Sequence, residues 1–509
     1  MTQDYRETEL KFSVPADWRL PDLRSGELPT AEQPRRSVLT AVYYDTDDLR
    51  LSRSGVTLRR RSGGADAGWH LKLPVMSEPS TTRDELRLPL RAGAVGEPPH
   101  ELTDLVRALV RDAEVLPRAT VRTRRTTVVL NNTAGRPTVE VADDRVTVVG
   151  GPVDGTTYRE IEAEALDPDA PLPRIADHLV LSGADARSAG SKGIRAIAGD
   201  VELAALVPTP PPCGPDEPGA AAVAHLVRAQ VAALIAQDLR VRRGLPDAVP
   251  QFRVAARRLR SGLQAFGPLV DAAWAKQVRA ELGWVAGAMG ASRDREVLQD
   301  RLLAGLRALP PAIDRAAGLV VVQDTLDADR VVAATQGREA LASPRYLALL
   351  DALVAAADDV PTTRRARRPA GVVLPQLVET RWNSLERAAR GLADELDGHD
   401  DHWHRTRIDA KKARYTVEAV APVFGAPAKA FAQQLARVTD LLGQHQDCAI
   451  AADTVATMIT RDTGPRAAFA LGALYEQQRA ELRWVRHSFL QLWPEVEQVR
   501  WRRWLKVVR

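Results

Sequence analysis

Two hydrophobic periodicities divide the chain. Over roughly its first 200 residues, apolar and polar positions alternate in short runs separated by turn residues. The runs are Glu7 to Val14, Val38 to Asp45, Val56 to Arg61, Trp69 to Leu73, Arg83 to Leu90, Ala119 to Leu130, Thr138 to Val141, Arg145 to Val149 and Thr157 to Leu166. Alternation with period two predicts β-strands, and this many in succession predict an antiparallel barrel with few helices, one of them near Leu102 to Arg111. From Leu206 the sequence turns to VPTPPPCGPDEPG, a stiff proline-rich linker. Beyond it, Ala, Leu, Arg and Glu recur with a period near 3.6, which predicts helices to the end. The fold class expected is α+β: a β barrel over 1–203, a linker over 204–217, and an all-α region over 218–509.

The helical region contains a duplication. VPQFRVAARRLRSGL, from Val249, aligns with WHRTRIDAKKARYTV, from Trp403. Pro250, Arg253, Arg257 and Arg260 then fall opposite His404, Arg407, Lys411 and Arg414, at spacings of three, four and three. MGASRD, ending at Asp294, aligns with LGQHQD, ending at Asp447, at an offset one residue shorter. Two matches at nearly one offset predict a duplicated helical bundle with repeats over about 218–360 and 370–509.

Composition bounds the chemistry. Hydrophobic residues make up 45% and charged residues 27% of the 509, a globular balance in a chain long enough for two or three domains. Two cysteines, Cys213 and Cys448, provide neither a disulfide framework nor zinc spacing. The start MTQDYRETEL lacks the pattern of a secretion signal, and no stretch reaches about 18 uninterrupted apolar residues. A cytoplasmic protein without a membrane span is expected. The net charge is only +4 among 70 Lys and Arg, so what matters is how the charges are arranged.

That arrangement is unusual. In ETELK, Glu7, Glu9 and Lys11 share one strand face while Thr8, Leu10 and Phe12 share the other. Arg59 and Arg61 share a face, as do His70 and Lys72, and Arg83, Glu85 and Arg87. Arg122 and Arg124 do likewise, and so do Glu160, Glu162 and Glu164. Each alone suits a solvated outer face. Together they also suit the polar interior of a barrel, where carboxylates need a divalent cation and the basic groups need a polyanion.

Residues 1 to about 200 resemble the CYTH family, the triphosphate tunnel metalloenzymes. ETELK is similar to its opening ExExK signature and YYDTDDLRLSRSGVTLRRR to its next block. WHLKLP, RDELRLPL, VEVADD, REIEAEA and Ser191-Lys192 follow in the family's order. The resemblance implies an eight-stranded tunnel that hydrolyses or rearranges a triphosphate with a divalent cation, Mg²⁺ or Mn²⁺. By the same resemblance, Arg59, Arg61, Lys72, Arg83, Arg122, Arg124 and Lys192 would bind triphosphate, with Arg125 replacing Arg124 if the strand carries a bulge. Glu7, Glu9, Asp143, Glu160, Glu162 and Glu164 would hold metal or orient water, and Lys11 would join the cationic lining. The expected catalytic set is Glu7, Glu9, Lys11, Arg59, Arg61 and Lys72. The YYDT residues are expected to pack and turn the chain.

The region from about 218 resembles the CHAD domain, a duplicated helical module found with CYTH domains. His404 to Tyr415 and LGQHQD carry its motifs, whereas Pro250 stands where the family usually has histidine. The resemblance implies a basic groove that binds polyphosphate, through Arg253, Arg257, Arg260, His404, Arg407, Lys411, Arg414 and His445. The leading expectation is a metal-dependent triphosphatase acting on inorganic triphosphate or a related polyphosphate, with a helical region that concentrates it on polymer or recruits it to polyphosphate bodies. Adenylate cyclase or thiamine triphosphatase activity, and non-catalytic polyphosphate binding, are the alternatives. Nucleic acid is disfavoured as a partner because no aromatic stacking platform accompanies the basic helices.

Overall fold

The computed structural model describes residues 3–75, 82–186, 191–396 and 398–506, and the side chains of these except 3, 291–294 and 327–335. It divides into two compact units, 1–206 and 207–509. The first contains β1 (Gln3–Val14), β2 (Thr30–Ala31), β3 (Arg35–Asp45), β4 (Thr57–Ser62), β5 (Gly68–Pro74), β6 (Thr82–Pro89), β7 (Leu116–Asn131), β8 (Pro137–Gly150) and β9 (Thr157–Ala165). Its helices are α1 (His100–Thr103), α2 (Arg107–Val110), α3 (Leu172–Leu181) and α4 (Lys192–Ala198).

Eight strands close a barrel in the order β7-β3-β4-β5-β6-β1-β9-β8, sealed by pairing of β8 with β7, while β2 extends the β7 edge. Neighbouring strands of the barrel pair antiparallel throughout. Much of the barrel is packed from outside. Phe12, Val14, Val139, Val141, Ile161 and Ala163 point outward and are covered by Ile175 and Leu179 of α3. Each of these side chains larger than alanine contributes on the order of 1.5–3 kcal/mol on burial. The strands are therefore amphipathic, with the apolar side facing out and the charged side largely lining the interior.

One sector of the interior is dry. Ala41, Tyr43, Ala119, Val121, Val146 and Val148 pack with Ala196 and Ile197 of α4. The helix fits because position 193 is glycine: a Cβ there would lie 2.5 Å from the Tyr43 ring. Among the YYDT residues, Tyr44 packs on Trp69 at 5.0 Å, and Asp45 accepts hydrogen bonds from the backbone N–H groups of Thr46, Leu51 and Ser52. Tyr43 differs from them in also lining the cavity.

The second unit holds α5 (Gly219–Arg242), α6 (Ala248–Ala265), α7 (Ala272–Ala308), α8 (Arg315–Ala342) and α9 (Pro344–Asp358). Then follow α10 (Ala370–Arg390), α11 (Asp400–Phe424), α12 (Ala426–Met458) and α13 (Pro465–Val496). Helix α6 packs on α11, α5 on α10 and α8 on α13, so equivalent helices of the two repeats face each other. By length and composition α5 is apolar enough to cross a membrane, which the count of uninterrupted apolar residues did not register. In the fold its Val223, Val227, Val231 and Leu234 are buried.

Candidate functional site: a tunnel with an acidic and a basic wall

A cavity of about 590 Å³ is lined by the inward charges of the barrel and extends to Ala176, Asp177 and Val180 of α3. Strand register builds its walls. Glu9 lies opposite Glu164 and Glu164 opposite Glu140, so β1, β9 and β8 present three carboxylates at one level. One level along, Lys11 lies opposite Glu162; one further, Glu160 lies opposite Asp144. Across the cavity, β4, β5 and β6 present Arg59, Arg61, Lys72, Arg83 and Arg87, and β7 adds Arg125.

Few of these charges face water, and the walls neutralise each other. Lys72 Nζ lies 2.5 Å from Glu7, and Lys11 Nζ lies 2.6 Å from Glu162 and 3.1 Å from Glu9. Lys192 Nζ lies 2.7 Å from Asp144, 2.6 Å from Glu160 and 2.9 Å from Glu162. Arg125 donates to both oxygens of Asp144, at 2.8 and 2.7 Å, and to Glu162 at 2.6 Å. Glu85, fully buried, lies 3.8 Å from Arg59, 4.0 Å from Lys72 and 2.9 Å from His70 Nδ1, and also pairs with Arg87. His70 Nε2 reaches the Asp66 carbonyl at 2.9 Å, tying the β4–β5 loop to the wall.

The field inside follows from these neighbours. Burial opposes the charge of Glu162, but Lys11, Lys192 and Arg125 outweigh it and hold the carboxyl far below its usual range. Burial and the neighbouring Glu162 raise Glu160 despite Lys192. Burial, with Glu7, Glu9 and Glu140 nearby, pushes Glu164 up to about 7. On the basic side, burial and the adjoining guanidinium groups of Arg59 and Arg125 lower Arg61 to about 9, although it pairs with Asp66. Like charges thus repel within the basic wall as they do among the acids around Glu164.

Asp144, Glu160 and Glu162 bring carboxylate oxygens within 4.8 Å of one another. An all-oxygen set of this kind suits a hard divalent cation. The trio fits such an ion, with Lys192 among it as the chain's own counter-charge.

The structure corrects three sequence placements. Arg122 and Arg124 point outward and are exposed; Ala119, Val121 and Thr123 take the inward positions, and Arg125 continues them. No bulge is involved, since the β7–β8 register is unbroken from Val121 to Leu130. Asp143 also points outward, where Arg159 grips both its oxygens at 2.8 Å. The two short runs expected at 138–141 and 145–149 are one strand, β8, and its parity puts Asp144 inside with Glu140. Glu7, Glu9, Lys11, Arg59, Arg61, Lys72, Arg83, Glu162, Glu164 and Lys192 all line the cavity, and Glu160 joins through Lys192. Glu85 and Arg87 were visible in the sequence as face-mates of Arg83; Glu140 had no such signal.

In the helical unit, Arg257 and Arg260 of α6 and Arg407 and Lys411 of α11 converge on one cleft of about 270 Å³. Arg381, Lys412 and Tyr415 are among the other residues that line it. Burial, then Arg407 and Arg257, lower Lys411 to about 8. Four expected members lie outside this lining. Arg253 packs over Gly290, where a Cβ would lie 2.4 Å from its guanidinium carbon. His404 bonds to Gln446, and Arg414 to Glu418 and Thr439. His445 is a correction: it is 1% exposed, stacks on Trp403 at 5.2 Å and accepts from Arg486 at 3.1 Å. Those contacts make it part of the bundle's core. The side chains at 291–294, the end of the first repeat's MGASRD motif, lie outside the described ones.

Fold and site together define a charged-tunnel barrel joined to a duplicated helical bundle. A CYTH domain matches residues 5–184 and a CHAD domain residues 225–456, and the chain belongs to the proteins that join the two. Two relatives from Mycobacterium tuberculosis are similar along nearly their whole length. They are uncharacterized protein MT2285 of strain CDC 1551 / Oshkosh and uncharacterized protein Rv2226 of strain ATCC 25618 / H37Rv. Each is 34% identical over 503 residues, covering 93% of this chain and 92% of the relative. Among solved structures, PptA from Streptomyces chartreusis is 27% identical over 55% of this chain and 99% of its own, with a TM-score of 0.48.

Proposed function

We propose that the tunnel hydrolyses inorganic triphosphate, or a related polyphosphate, with Mg²⁺ or Mn²⁺, and that the helical unit binds polyphosphate. The observation that carries this is the pairing of walls: six basic side chains face an array of carboxylates across one cavity. A cation-binding site alone would have no use for the arginines, and an anion site alone would be weakened by the acids. A metal–phosphate complex is complementary to both.

Arg59, Arg61, Lys72, Arg83, Arg87 and Arg125 would hold phosphate oxygens, and Glu85 keeps Arg59, Lys72 and Arg87 in place. Asp144, Glu160 and Glu162 would hold the cation, with Glu7 and Glu9 as further ligands. When bound, the ion supplies charge neutralisation between the acids and the phosphate chain. Glu164, poised near neutrality, suits accepting a proton from the attacking water. Phosphoryl transfer needs little covalent work from the protein beyond such positioning and charge compensation. The Arg257, Arg260, Arg407 and Lys411 cleft would hold the polymer near the enzyme, in the cytoplasm or on polyphosphate bodies.

Phosphate release from triphosphate, ATP and long-chain polyphosphate, with each metal, tests the reading. Release from triphosphate or polyphosphate supports it. No release from any substrate overturns it, and a cyclic nucleotide formed from ATP replaces it with cyclisation.

A further inference from the structure

The guanidinium groups that failed to enter the tunnel form a surface of their own. Outward positions of three adjacent strands carry Arg36 on β3, Arg122 and Arg124 on β7, and Arg145 on β8, all exposed. Arg124 lies directly opposite Arg145, and Arg145 directly opposite Arg159. Like charges facing each other across a ladder destabilise a sheet. The carboxylate nearest to them in register, Asp143, is already held at both oxygens by Arg159. Arg36, Val38, Arg124, Thr126, Asp143 and Arg145 border a shallow cleft of about 310 Å³. Val38, half exposed, is the apolar residue among them.

We infer that this outer face of β3, β7 and β8 is a second polyanion site, and that it takes inorganic polyphosphate. Arg122 and Arg124 stand about 6.6–6.8 Å apart along the strand, and Arg145 stands about 5 Å across from Arg124. That grid suits a flexible chain of closely spaced phosphates. The residues bordering the cleft include no aromatic side chain on which a base could stack, which disfavours single-stranded nucleic acid. Strand β7 thereby presents Arg125 to the tunnel and Arg122 and Arg124 to the outside. A polymer whose end is cleaved within would be held by its length along the outer wall. The choice of polymer rests on the tunnel reading; the site itself does not.

The test uses the full chain carrying Arg257→Ser, Arg260→Ser, Arg407→Ser and Lys411→Ser, so that residual binding reports on the barrel. Adding Arg122→Ser, Arg124→Ser and Arg145→Ser should weaken long-chain polyphosphate binding about tenfold at low salt. It should also flatten the plot of log affinity against log salt by about two, for three lost phosphate contacts. Turnover of short triphosphate should stay within twofold. An unchanged affinity and slope would overturn the inference, and so would an oligodeoxynucleotide that binds more tightly than polyphosphate and loses more. Arg145→Ser alone guards against a folding failure: it should raise the melting temperature at low salt and reduce the further rise that polyphosphate induces. A lower melting temperature with an undiminished polyphosphate effect would count against the site. A parent that shows this salt-dependent binding but releases no phosphate would uphold the site and overturn the tunnel reading instead.

Discussion

The ammonium of Lys192 lies 2.7 Å from Asp144, deep inside the barrel. It reaches there because α4 enters the interior over Gly193 and anchors Ala196 and Ile197 in the dry sector. The same ammonium touches Glu160 and Glu162, so a single lysine compensates a carboxylate trio that a divalent cation would also satisfy. Folding and any cation held there would thus draw on the same charges.

Lys192→Met should expose that overlap. Removing one partner of a buried ion pair costs about 3–5 kcal/mol. In EDTA the variant's melting temperature should fall, and Mn²⁺ should restore more of it than it adds to the parent. Equal Mn²⁺ effects on the two would show that the trio does not hold the ion.

Glu7→Gln with Glu9→Gln keeps size while removing two acids from one wall. Triphosphate hydrolysis should fall by at least about 100-fold, the scale of lost electrostatic support for a charged transition state. Release that survives the double change would overturn the site assignment. Phosphate release, alongside a melting curve showing a folded variant, is the measurement.

The pH dependence of Glu164 has a definite sign. Its folded value of about 7 lies above the usual carboxyl value, so the native state binds the proton more tightly than the unfolded state does. Its contribution to stability is therefore lost as pH rises from about 4.3 to 7. In EDTA, Glu164→Gln should flatten the fall in urea midpoint across that window. A curve identical to the parent's would show that the cluster does not strain Glu164.

Lys411 makes the opposite case for ligand binding. Its value of about 8 means the free cleft loses this charge as pH rises past 8. A polyanion favours the charged form, so polyphosphate affinity should fall between about pH 8 and 10, with proton uptake on binding. The unbound fold should gain stability over the same range, because the unfolded lysine holds its proton to about 10.4. Lys411→Met should remove both trends, which calorimetry in two buffers and urea melts would read.

Much of the barrel was legible because period two is a local property. Glu7, Glu9 and Lys11 share a face wherever that strand lies, and the ETELK spacing needs no tertiary information. The exceptions are runs in which both parities carry a suitable charge. Arg122, Arg124 and Arg125 form a run in which either parity offers a guanidinium, and Asp143 and Asp144 offer the same ambiguity. Only closure of the sheet decides which member faces the cavity.

In the helical half, the duplicated spacings revealed the repeat and both basic ridges, because helical stripes are also local. Which ridge residues meet was beyond local reading. Arg257, Arg260, Arg407 and Lys411 share a cleft because α6 packs on α11, and His445 is withdrawn because Trp403 and Arg486 surround it.

The sequence by itself determined the order of elements, the two-part organisation and the kinds of charge each strand carries, since these follow from periodicity and composition along the chain. The tertiary structure decided which charges oppose one another. It set Lys192 among three acids, turned Arg124 outward to face Arg145, and put Glu164 level with Glu9 and Glu140. Electrostatic energy depends on distance and burial between residues far apart in sequence, and only the closed barrel fixes both.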